Sequence, residues 1–232
     1  MILTDDNFTT IKNAVEEGRS VYSNIIKFIT WILPTNVGQG LVIVFAVMLA
    51  FELPLSPVQV LWVNMTTAVL LGLSLAFEPK EKDLMNHPPR AHDAPILSKL
   101  LLRRVVYVGT LLVVLSFGAF WYVHEFLQGS LEQARTAAVS IFIFGQTAYL
   151  LNCRSMKFSA FQLGLFSNQW LVLGIVLMTL VQLLFIYTPF MNTLFGTAAL
   201  GLNEWIFILI ASLIIYTIVE IEKKVQHRNK SE

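Results

Sequence analysis

Acidic residues are missing from long stretches of this 232-residue sequence. No Asp or Glu lies between Glu17 and Glu52, between Glu52 and Glu78, between Asp93 and Glu125, or between Glu132 and Glu204. Charged residues of both signs make up only 13% of the chain against 56% hydrophobic ones, too few to surface a soluble domain of this size. There is one cysteine, Cys153, which excludes an internal disulfide and a cysteine cluster for metal. His87, His92, His124 and His227 lack the spacing of metal ligands. No Gly-rich phosphate loop, nucleophile elbow or His-Glu-x-x-His motif is present, so nothing on this chain would hydrolyse ATP. The net charge of +1 gives no reason to expect a nucleic acid partner.

What fills the gaps is apolar. Runs of about 20 residues recur, long enough to cross the hydrocarbon core of a bilayer. They fall at roughly 25–51, 58–77, 105–122, 136–151, 169–187 and 204–221. The first is too long for a cleavable signal, and the residues before it are polar. The expected fold is all-α, a polytopic membrane bundle of six transmembrane helices. A loose helical stripe through Ile11, Ala14, Val15, Val21 and Ile25 extends the first of them outward as a stalk. The expected organisation is a stalk over 1–24, a six-helix transmembrane domain over 25–221 and a charged tail over 222–232. Among the Lys and Arg residues, only Arg135 falls on the side of the loops at 52–57, 123–135 and 188–203. The positive-inside rule then places both termini in the cytoplasm, in a multi-pass protein of the cell membrane whose constant partner is lipid.

Polar residues inside these spans are few, and they cluster. Asn36 and Gln39, three apart, follow Pro34 in the first span; Asn64 and Thr67, three apart, lie in the second. The turn Glu52-Leu-Pro-Leu-Ser-Pro57 is short, so the two helices are expected to be antiparallel neighbours. Pro34 removes a backbone hydrogen bond and should loosen the helix beside Asn36. Four side-chain oxygens with freed carbonyls suit a hard cation, and their neutrality suits a monovalent one. Interhelical hydrogen bonding, at about 0.6 kcal/mol per contact, explains the same residues without an ion. Gln146 with Tyr149 in the fourth span, and Gln182 in the fifth, read more readily as helix contacts. Glu220 reads as structural, within reach of Lys223 and Lys224.

The order Asp5-Asp6-Asn7-Phe8, Glu16-Glu17-Gly18-Arg19, Asn36-Val37-Gly38-Gln39, Leu61-Trp62-Val63-Asn64, Ala76-Phe77-Glu78-Pro79 and Met85-Asn86-His87-Pro88-Pro89-Arg90 resembles type II P-type cation-transporting ATPases. The likeness runs from the end of their phosphorylation domain through transmembrane helices five to ten. Gln146 to Phe161 resembles the eighth helix and following loop of the sodium/potassium pump. The resemblance implies the ion-translocating membrane module of a pump that works through an aspartyl-phosphate. ATP and Mg would bind on catalytic domains absent from this chain, and an N-terminal ATPase portion would be its partner if expressed separately. It also implies Asn36, Gln39, Asn64 and Thr67 as ligands of the transported cation. Gln39 stands where calcium pumps have Glu, Ala68 where they have Asp, and Tyr149 where the sodium/potassium pump has Asp. Three anionic ligands are thus replaced, in keeping with the acid-free membrane interior.

Two other classes compete. A membrane scaffold, regulatory subunit or remnant of a split pump gene would have the same hydropathy without transport. A small secondary transporter would need an inverted repeat or a membrane-buried carboxylate for coupling, and neither is evident in the sequence.

Overall fold

The computed structural model describes residues 8–81, 84–86, 88, 99–156 and 158–231, with side chains to 226. The described residues form helices and no strand, and six of the helical stretches are long and apolar enough to cross a membrane. Helix α1 (Phe8–Met48) has 41 residues. At 1.5 Å per residue it is about 60 Å long, about twice the hydrocarbon thickness, so roughly half of it stands outside the bilayer as the expected stalk. We call the corresponding end of the bundle the stalk end. α1 terminates without a glycine: Ala50 takes the left-handed conformation (φ 53°), and the Phe51 N–H returns to the Ala46 carbonyl at 2.9 Å.

Helix α2 (Pro57–Leu70) begins with Ser56, whose hydroxyl accepts from the Gln59 N–H while the Gln59 side chain accepts from the Ser56 N–H. The same Ser-x-x-Gln box starts α4 (Leu131–Cys153) at Ser130 and the short α5 (Ala160–Leu163) at Ser159. The second span is not one α-helix. It tightens after Leu71 into a 3₁₀ turn, Gly72–Phe77. Helix α3 (Lys99–Trp121) ends in a π-turn at Tyr122–Phe126. Helix α6 (Gln169–Tyr187) matches the expected fifth span, and a short α7 (Pro189–Phe195) follows it. Helix α8 (Leu202–Ser231) continues through the charged tail rather than ending near 221.

Helix α4 is the hub. Its Ala, Ser and Thr residues allow close approach on several sides, and it packs against α1, α2, α3, α6 and α8. α6 and α8, richer in Leu and Ile, are buried over a smaller share of their length and present apolar side chains outward. α1 packs chiefly along α3. Gly38 and Gly109 face each other there, and a Cβ on Gly38 would stand 3.3 Å from the Gly109 carbonyl oxygen. α1 touches α2 only lightly and packs more against the 3₁₀ turn, so the first two spans are neighbours at the stalk end and splay apart toward the turn that joins them. α6 meets the end of α2 at Gly174, where a Cβ would fall 2.1 Å from the Leu70 carbonyl oxygen; any larger residue must push the helices apart.

Candidate cation site and its supports

Pro34 lies inside α1, and the helix is continuous around it. A proline at this position leaves the carbonyl four residues earlier without its N–H donor. That carbonyl belongs to Thr30, and the Tyr149 hydroxyl donates to it at 2.9 Å. The neighbouring Trp31 indole N–H donates to the Gln146 carbonyl at 3.0 Å. The backbone group freed by the proline is thus used to clamp α1 to α4, not left open toward an ion. Trp31, at 0% exposure, belongs to this clamp.

The four expected ligands are not placed alike. Gln39 is buried, and neither its amide nitrogen nor its oxygen has a hydrogen-bond partner. Thr67 is buried, with its hydroxyl donating to the Val63 carbonyl of its own helix at 2.7 Å. Asn64 is half-buried, and Asn36 is exposed on the outer face of α1. No hydrogen bond joins any of the four to another. Asn36 and Gln39 are three apart, but the buried stripe of α1 takes in Gln39 and leaves Asn36 beyond its edge.

A second unpartnered amide is one that the sequence read as a helix contact. Gln146 on α4 is fully buried, and both side-chain polar atoms lack partners. Its backbone carbonyl is held by Trp31, and Gln39 lies about two helical turns farther along α1. A buried amide left unpaired costs about 1–3 kcal/mol. Gln182 does not share this state. It accepts from the Trp62 indole and donates to Ser140, as a helix contact should.

The stalk end is built differently. Glu78, just past the 3₁₀ turn, is 6% exposed and receives the Arg154 guanidinium at 2.9 Å and the Asn168 amide at 2.7 Å. The Glu78 backbone carbonyl accepts from Asn24 of α1 at 3.0 Å. Arg154 also donates to the Gly164 carbonyl and to the Ser167 hydroxyl. Through its carboxylate and its backbone carbonyl, Glu78 therefore joins α1, the end of the second span, the end of α4 and the start of α6. Glu220 accepts from Asn152 and from Lys223, which fulfils the structural role expected of it. Lys27 pairs with Glu81 at 3.1 Å. Glu78 and Arg154 lie just beyond the expected second and fourth spans, and the visible signal was an acid and a base each abutting an apolar run. Among the described residues no group of three or more His, Cys, Asp or Glu could hold a metal ion.

Residues 52–225 match the family model described as cation transporting ATPase, C-terminus. The chain belongs to that family. It is 47% identical over 221 residues to the probable cation-transporting ATPase F of Mycobacterium tuberculosis, covering 94% of this chain and 24% of that protein. It is 37% identical over 211 residues to the cation-transporting ATPase pma1 of Synechocystis, covering 88% and 23%. It is 36% identical over 209 residues to a calcium-transporting ATPase of Bacillus subtilis, covering 90% and 23%. The chain thus spans about a quarter of the length of these relatives and matches their C-terminal transmembrane module.

Proposed function

We propose that this chain forms the cation-conducting part of an ATP-driven pump. ATP and Mg would act on the N-terminal portion of that pump, and both termini of this stretch would face the cytoplasm. The observation that carries the reading is the Gln39 amide, 3% exposed and unpartnered, on a stretch that holds no acid between Glu17 and Glu52 and faces a second span with none between Glu52 and Glu78. An ion supplies what the buried amide oxygen lacks, and the amide supplies oxygen to an ion stripped of water. Gln39 is then the inner ligand, with Gln146 a second amide along the α1–α4 seam. Asn36, Asn64 and Thr67 complete the site once further helices of the pump cover the open side of α1 and α2. The uncharged donor set favours a monovalent cation; a divalent one would need a carboxylate from those further helices.

The stalk supports the coupling. α1 is one helix from the water-exposed Phe8 to the buried Gln39, and its outer half is pinned by Lys80 to Glu16 and Glu17 and by Lys27 to Glu81. Displacement of the stalk would be transmitted along a continuous rod to the clamp at Thr30 and Trp31. The test is cation-stimulated phosphorylation by ATP in the intact pump. Gln39→Ala should raise the cation concentration needed at least tenfold, and Asn36→Ala with Asn64→Ala should raise it less. Unchanged cation dependence in both variants would remove these residues from the site.

A further inference from the structure

A groove of about 610 Å³ runs between α3 and α8 at the stalk end, away from the α1–α4 seam. Arg103, Val106, Tyr107, Thr110 and Leu111 of α3 line it, with Ile218 and Glu222 of α8. Lys99, Arg103, Val106 and Thr110 form an exposed stripe with i, i+4, i+7, i+11 spacing. Its first two members are cationic and its last two lie inside the apolar part of the span, so charge gives way to hydrocarbon over about 10 Å. The polar atoms deeper in the groove are already occupied. The Thr110 hydroxyl donates to the Val106 carbonyl, and the Tyr107 hydroxyl donates to Glu222.

The mouth of the groove carries an excess of positive charge. Glu222 takes Arg103 at 2.5 Å and Arg104 at 2.9 Å, and Gln226 also donates to it. Two guanidiniums thus share one carboxylate. Arg104 is fully buried, whereas the Arg103 side chain is 56% exposed, so the uncompensated charge faces out at the membrane boundary, one turn from the exposed Lys99. We infer that this groove holds an anionic phospholipid, its phosphate against Arg103 and Lys99 and one acyl chain along Val106, Thr110 and Ile218. A basic rim above an apolar slot between transmembrane helices is the arrangement that selects anionic headgroups. A zwitterionic lipid would fill the slot equally but would not use the charge.

The experiment is native mass spectrometry of the full chain, extracted in mild detergent and offered equal amounts of phosphatidylglycerol and phosphatidylcholine. The last lipid retained should be phosphatidylglycerol. Arg103→Gln should lower that preference about fivefold, the share of one cation near the membrane surface. The substitution leaves Glu222 paired with Arg104. Lys224→Gln, exposed on α8 outside the groove, should leave the preference unchanged. Val106→Trp, which fills the slot, should remove the retained lipid whatever its headgroup. Equal losses in the Arg103 and Lys224 variants would mean diffuse surface charge and overturn the assignment. So would retention by Val106→Trp, or disulfide-linked dimers formed through Val106→Cys, which would make the groove a contact between copies of the chain.

Discussion

In the middle of the bundle the buried amides of Gln39 and Gln146 have no partner, whereas at the stalk end every oxygen of Glu78 is engaged. Both regions bury polar groups, and both lie on α1 and α4 or their flanks. The stalk end gathers side chains distant in sequence to satisfy one carboxylate. In the middle, Trp31 and Tyr149 hydrogen-bond the backbone on either side and leave the two glutamine side chains alone. Packing that can build the first arrangement has no structural need for the second. The difference separates a joint, where every oxygen of Glu78 is paired, from two amides that the packing leaves unpaired and that we propose a cation completes.

The largest effect that would sharpen this contrast is at the joint. Glu78→Ala leaves the Arg154 guanidinium buried without its carboxylate, and thermal unfolding in detergent should show a loss of about 3–5 kcal/mol. Replacing both partners, Glu78→Leu with Arg154→Met, should recover most of it. Failure of the double variant to recover would mean that the Asn168 hydrogen bond to Glu78 matters more than the ion pair does. The middle should respond with the opposite sign. Gln39→Leu removes a buried amide that has no partner, and the chain without ion should gain about 1–3 kcal/mol. A loss there would break the comparison.

Tyr149→Phe should have a smaller effect. It strands the Thr30 carbonyl exposed by Pro34, and the same unfolding measurement should register about 1 kcal/mol. The smallest effect lies on the stalk. The hydrogen bond that Lys80 donates to Glu17, at 2.6 Å, raises the pKa of Lys80 above its ordinary 10.5. Because the folded value is the higher one, the contribution is complete below pH 10.5 and fades as the pH rises through the raised value. Wild type and Lys80→Met should therefore differ slightly at neutral pH and converge in strong alkali. A gap that persists there would assign the effect to packing of the lysine stem.

Much of the architecture was legible in the residues. α6 is an unbroken apolar run between Asn168, which caps it, and Pro189, and its bounds follow from those signals. The second span has the length read for it, but its end, Gly72-Leu-Ser-Leu-Ala-Phe77, is 3₁₀ rather than α, and hydropathy does not distinguish the two backbones. α8 was read too short because charge ends a membrane span but does not end a helix. In the site, Gln39 was visible as an amide among aliphatic residues, but the orientation of Asn36 was not, since it depends on where α3 and α4 lie. The Glu78–Arg154 pair spans 76 positions, and no local pattern connects them.

Diffraction from crystals of the intact pump soaked with thallium, an anomalous scatterer standing in for a monovalent cation, tests the central claim most directly. An anomalous peak is expected in contact with the Gln39 side-chain oxygen. A peak only at the carboxylates of the stalk end, with none at Gln39, would contradict it.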